Sequence, residues 1–179
     1  MQLTLVTGNK HKAEEWRRMM PADFKLTSHA VDLDELQSLD ADAVIEHKVR
    51  QAYAQLGVPV VVEDVMSGLD ELKGLPGPFI KFFVDQLGPD ALHKMHKGSN
   101  KATAICTIGY FDGSHLIIAR GVVHGQAVEP RGDTRFGFDC SFLPDGQDQT
   151  FGQMPRGLKD KVSHRALAIQ DLVHQLRAL

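Results

Sequence analysis

Cysteine is scarce in this chain of 179 residues: there are two, Cys106 and Cys140, far apart and without CxxC spacing. That excludes a disulfide framework and a thiolate zinc site, and leaves two reduced thiols packed in a core as the expectation. Long apolar runs are missing too, since none approaches the roughly 18 residues a membrane span needs. Met1 to Gly8 lacks the basic and apolar regions of a secretory signal. The expected location is the cytoplasm, with no membrane partner. Basic blocks are also absent. Lys and Arg total 20 against 23 Asp and Glu, so no global positive field invites nucleic acid, and any phosphate binding has to be local. No Walker A loop and no G-x-S-x-G elbow occurs, and the nine His are scattered.

What is present suffices for a core: 42% of the residues are hydrophobic, enough for one domain or one compact two-lobed unit. Leu3 to Val6 reads as a buried strand, Thr7-Gly8-Asn9 as a turn, and Lys10 to Met20 as a helix stopped by Pro21. A weak strand covers Phe24 to Ser28. Ala41 to Leu56 is an amphipathic helix with Val44, Ile45, Val49, Ala52, Tyr53 and Leu56 on one side and Gly57 as its stop. Val60 to Val62 is a second buried strand ending at Glu63-Asp64. Strand, helix and strand in this order predict βαβ pairing and an α/β fold.

Helices are expected over Phe79 to Leu87 and Asp90 to Lys97. Ala102 to Tyr110 and His115 to Val123 form an antiparallel hairpin, because Asp112-Gly113 supplies tight-turn chemistry. Phe138 to Leu143 is the expected last strand, Gly152 to Lys161 a mobile loop, and Val162 to Leu179 a C-terminal helix with Ala166, Ile169, Leu172, Val173 and Leu176 inward.

Several positions carry chemistry. Thr7-Gly8-Asn9-Lys10-His11-Lys12 joins a strand to a helix N-terminus, where backbone N–H groups and the helix dipole suit either an ordinary cap or a phosphate. Glu63 and Asp64 are adjacent on a strand and point to opposite faces, so they are either a solvated loop start or a pair in which one carboxylate holds a metal and the other orients water. Glu35 lies in the acidic stretch Asp32-Leu33-Asp34-Glu35, which is otherwise a solvated face. Gly74-Leu75-Pro76-Gly77-Pro78 is a fixed loop leading to Lys81. Arg135-Phe136-Gly137-Phe138-Asp139 suits base stacking, although two Phe in a strand are more often core. Ser163 is a natural N-cap for a helix that begins with the donors His164 and Arg165.

In order and spacing, Thr7-Gly8-Asn9-x-x-Lys12, Glu63-Asp64, Gly74 to Lys81, Phe136-Gly137-Phe138-Asp139 and Ser163-His164-Arg165 resemble the inosine triphosphate pyrophosphatase, or Ham1-like, family over nearly the whole chain. The resemblance implies a two-lobed, mixed-sheet α/β fold with a central cleft, one domain over residues 1–179, and a homodimer. It also implies Mg²⁺-dependent hydrolysis of deaminated purine triphosphates to monophosphate and pyrophosphate, with Mn²⁺ as a substitute cation. Thr7, Gly8, Asn9, Lys12, Lys48 and Lys81 would then hold the triphosphate, and Glu35, Glu63 and Asp64 would serve the metal, with Asp64 activating water. Phe138 would stack on the purine within Phe136 to Asp139, and Asp139, Lys159, His164 and Arg165 would frame its six-membered edge.

The chain departs from the family pattern at Val65, where a hydroxyl residue is usual, and at Phe138, where the eukaryotic-type branch tends to have Trp. Two rival readings follow from such drift: a pyrophosphatase of the same fold for another modified triphosphate, or a silent nucleotide-binding module.

Overall fold

Leu3, Thr4, Leu5 and Val6 are all buried, and a strand covered on both faces belongs in the interior of a parallel sheet. β1 (Gln2–Val6) pairs in parallel with β2 (Lys25–His29) on one side and β3 (Val60–Leu69) on the other, with Thr4 opposite both Thr27 and Val60. Two helices make the crossovers. In α1 (Lys10–Met19) the Asn9 side chain caps the first turn, and in α2 (Ala41–Leu56) Asp40 does the same, while Gly57 closes the C-terminus with φ 64°. The side-chain oxygen of each cap accepts two N–H groups that the helix itself leaves without partners.

The computed structural model describes residues 1–133 and 136–179. After β3 come the short β4 (Pro76–Gly77), α3 (Ile80–Leu87), α4 (Ala91–Met95), β5 (Lys101–Phe111), β6 (Leu116–Ala127), β7 (Phe142–Pro144), α5 (Arg156–Val162) and α6 (His164–Leu176). Among the described residues, seven strands form one open mixed sheet in the order β2-β1-β3-β5-β6-β7, with β4 antiparallel on β3. No helix among them is long and apolar enough to cross a membrane.

The chain divides into two compact units. The first comprises Met1–Asp64, Cys106–Gly121 and Arg165–Leu179, and the second Val65–Ile105 and Val122–His164. In the first, Ile45, Val49 and Ala52 of α2 pack on Val6, Val60 and Val62. Gly109 of β5 permits that close approach, because a Cβ there would lie 3.2 Å from side-chain atoms of Ile45 and Val49. Ala166, Ile169, Leu172, Val173 and Leu176 of α6 are buried as their spacing predicts. The core of the second unit gathers Leu69, Ile80, Leu92, Phe138, Phe142 and Phe151.

Three expectations need correction. β3 does not end at Glu63-Asp64 but runs on to Leu69, so the two carboxylates sit within a strand; charge interrupts the apolar pattern without interrupting the backbone ladder. The strand expected from Phe138 is only Phe142–Pro144, because Gly137 (φ 55°) turns the chain and Asp139 N donates to Phe136 O at 3.2 Å, starting a tight helical turn. Residues 152–161, expected as loop, include most of α5, and the C-terminal helix begins only after Ser163, whose extended backbone (ψ 155°) separates α5 from α6.

Ser67 and Gly68 of β3 face Gly77 and Pro76 of β4. A Cβ on Gly68 would sit 1.8 Å from the Gly74 carbonyl oxygen, and a backbone atom cannot swing aside. Gly68→Ala should therefore destabilise by about 1–3 kcal/mol or more in urea unfolding, as overpacking does. Gly157→Ala on α5, with nothing within 4 Å of the added Cβ, should stabilise by about 0.4–1 kcal/mol. Equal effects from the two would contradict this packing.

Candidate active site

Glu63 is where the chemistry of the first unit concentrates. Its side chain is 1% exposed, and a carboxylate so dry survives ionised only with matched partners. Arg165 supplies a bidentate one, with Nη2 at 2.8 Å from Oε1 and Nε at 2.9 Å from Oε2. Trp16 donates its indole N–H to Oε2 at 2.6 Å, and Lys12 Nζ stands 3.1 Å from Oε1. Burial pushes the Glu63 carboxyl upward, but Arg165 and Lys12, with the hydrogen bonds from Arg165 and Trp16, outweigh it and hold the group well below the usual carboxylate range. Arg165 also reaches Glu15. Burial works against its charge as well, yet Glu63 and Glu15 keep the guanidinium firmly protonated.

Asp64 points the other way along β3 and is 26% exposed, as strand alternation requires. Lys48, on α2, places Nζ 2.9 Å from Asp64 Oδ1 and 3.5 Å from Glu35 Oε1. Burial disfavours the charge on Lys48, but the two carboxylates more than offset it and raise its pKa. Glu35 and Asp64 thus converge on one cationic point. That donor set suits a hard divalent cation that completes its shell with water and phosphate oxygens. Glu63 does not join them, and among the described residues no three His, Cys, Asp or Glu side chains gather as a metal cage. Glu63, expected to serve the metal together with Glu35 and Asp64, has its carboxylate surrounded by Arg165, Trp16 and Lys12.

At the β1–α1 junction, Thr7 Oγ1 accepts from Asn9 N at 3.1 Å, and Asn9 Oδ1 accepts from His11 N and Lys12 N at 3.0 and 3.2 Å. This is a formed helix cap. Gly8 is exposed, and nothing lies within 4 Å of where its Cβ would be, so its backbone is open to close approach.

The second unit holds the other group of expected residues. Lys159 Nζ pairs with Asp139 Oδ2 at 2.5 Å and lies 5.0 Å from the Phe136 ring centroid. Phe138 is buried, stacked on His164 with centroids 5.9 Å apart and edge-on to Phe142 at 6.0 Å. The broad ring face expected of Phe138 is thus turned into the core, and the partly exposed ring of this turn is Phe136, beside the exposed Gly137. Lys81 is exposed on the first turn of α3. Arg135 lies outside the described residues.

Arg165, expected beside His164 at a base edge, is buried among Glu63 and Glu15 of the first unit. Sequence reasoning missed Glu15 and Trp16. Their signal was available, since positions three and four residues beyond Lys12 share its helix face.

An open mixed-sheet α/β protein with an anchored acid–base cluster on an inner strand is the class this arrangement defines. The chain belongs to the Ham1 family, whose sequence model matches residues 3–175. Inosine triphosphate pyrophosphatase of Yarrowia lipolytica is 39% identical over 177 residues, covering 96% of this chain and 94% of that protein. Two solved structures share the fold: a HAM1 protein from Coxiella burnetii, with TM-score 0.82 at 24% identity over 100% of both chains, and the Staphylococcus aureus Ham1 protein, with TM-score 0.78 at 21% identity over 99% of each.

Removing the charge of Glu63 leaves Arg165 buried and half-matched, so Glu63→Gln should cost about 3–5 kcal/mol in denaturant unfolding. The pH dependence has a definite sign. Because the folded pKa of Glu63 is depressed, its contribution is fully present above the ordinary value of 4.5 and fades as pH falls through the lower folded value. The acid limb of a stability–pH curve should flatten in Glu63→Gln; an unchanged limb would show that another group governs it.

Proposed function

We propose that this chain is a nucleoside-triphosphate pyrophosphatase that hydrolyses deaminated purine nucleotides such as ITP, dITP and XTP to the monophosphate and pyrophosphate, clearing them from the nucleotide pool. Membership of the Ham1 family and likeness to the Yarrowia enzyme support the reaction class. The observation that carries it in this chain is the half-buried carboxylate of Asp64, beside Lys48 and Glu35 and one residue from the anchored Glu63.

In this reading the triphosphate meets Thr7, Gly8, Asn9 and Lys12, with Lys48 and Lys81 adding positive charge. The open space at Gly8 supports that contact. Glu35 and Asp64 would hold a divalent cation, Mg²⁺ with Mn²⁺ as a substitute, which would supply charge neutralisation at the phosphates. Asp64 takes the proton as the water oxygen bonds to the α-phosphorus, the bond from that phosphorus to the bridging oxygen breaks, and pyrophosphate departs. Glu63 and Arg165 act by position, holding Lys12 and the strand in register. The base lies against the Phe136 to Asp139 turn, with Phe138 and His164 as its floor. Lys159 donates to a 6-keto oxygen, and a 6-amino group there would set donor against donor at a cost of about 1–3 kcal/mol. Residues 1–179 act as one domain, in the cytoplasm, as a homodimer.

Pyrophosphate release from the purified protein with Mg²⁺, over inosine, xanthosine, guanosine, adenosine and pyrimidine triphosphates, tests this. ITP and XTP should exceed ATP by at least about 10-fold in kcat/KM. Asp64→Asn should lower kcat by about 10²–10⁴-fold. Equal turnover of ATP would remove the proposed selectivity, and an active Asp64→Asn would remove its proton-accepting role.

A further inference from the structure

We infer that Lys48 closes the Glu35–Asp64 position to a lone divalent cation, so that cation and triphosphate enter as a mutually dependent pair. The inference rests on the catalytic reading above and deepens it. One ammonium, 2.9 Å from Asp64 Oδ1 and 3.5 Å from Glu35 Oε1, stands where both carboxylates point. Its side chain is 13% exposed while that of Glu35 is 58% exposed, so water reaches the site from the Glu35 side and the lysine charge beneath is poorly screened. The backbone cannot withdraw that charge, because Ile45, Val49 and Ala52 lock α2 into the core. Only side-chain rotation can.

Two like charges cannot share these oxygens a few ångströms apart in such a place. The protein also offers little to compensate a cation that arrives alone: two carboxylates and, among the described residues, no third acidic or imidazole ligand. A small hard cation with near-octahedral demands then depends on water and phosphate oxygens for the rest of its shell. A triphosphate changes both conditions. It brings oxygens to the cation, and it offers Lys48 an anion to turn to. Coupling of this kind is reciprocal, so the cation strengthens nucleotide binding by the same factor that nucleotide strengthens cation binding.

The test is Mn²⁺ binding to the full-length protein, read by electron paramagnetic resonance, without nucleotide and with a triphosphate carrying a methylene in place of the α,β-bridging oxygen. Wild type should bind Mn²⁺ alone at least tenfold more weakly than with the analogue. Lys48→Met should bind Mn²⁺ alone at least tenfold more tightly than wild type and lose most of the coupling, whereas Lys48→Arg should keep the wild-type weakness. Equal Mn²⁺ affinity of wild type with and without the analogue would overturn the inference whatever the variants do, as would Mn²⁺ affinity unchanged or weakened in a Lys48→Met protein that melts like wild type. Failure of wild type to release pyrophosphate from any triphosphate would instead sink the catalytic reading, and the nucleotide-free Mn²⁺ comparison would still decide the role of Lys48.

Discussion

The structure of the first unit turns on one charge, the carboxylate of Glu63 in a dry interior. Unpaired, a group of that kind would take up a proton or unfold its surroundings. It is kept ionised by a guanidinium 102 residues further along the chain and by Lys12 and Trp16 from the first helix. The need to match this charge draws an N-terminal helix, an inner strand and the start of the C-terminal helix to one place. It ties together the first and last of the three stretches of sequence that make up the first unit. Cys106, buried against the same carboxylate, is held in its neutral thiol form by burial and by the Glu63 charge, which fits the reduced, packed cysteine expected from composition.

Strand alternation turns this constraint into a division of labour. Glu63 faces inward and is fixed by four hydrogen-bonding contacts with Arg165 and Trp16. Asp64, one residue on, faces a wetter region where its partner is a single lysine that Glu35 shares. The first carboxylate is too firmly held for chemistry that requires movement or proton transfer, and that rigidity gives the second a defined position. A side chain pinned by packing and hydrogen bonds is what a reacting neighbour needs in order to be preorganised.

The second unit solves a different problem, the placement of polar groups beside an aromatic core. Phe142 stacks on Phe151 with centroids 5.4 Å apart and a 13° tilt, and Phe138 and His164 extend that layer. Asp139 follows Phe138 in a tight turn and meets Lys159 from α5. The burial of Phe138 bears on its departure from the family pattern: a ring inside the core supports the turn from below, so its size matters to packing as well as to any base above it.

Much of this architecture was legible from neighbours in sequence. The spacing of Val44, Ile45, Val49 and Ala52, the side-chain oxygens of Asn9 and Asp40, and the Asp112-Gly113 turn are short-range signals whose physics is complete within a few residues. Their elements came out with nearly the expected bounds. The sequence also determined that Glu63 and Asp64 would face opposite ways, because alternation needs only the backbone. Tertiary structure alone decided which of the two would be buried, that β3 would continue past them, that Phe138 would turn inward, and that Arg165 would answer Glu63 rather than stand beside His164. Each of those outcomes is set by a partner far away in the chain, and the free energy of a buried charge depends on that partner's position, which no local pattern encodes.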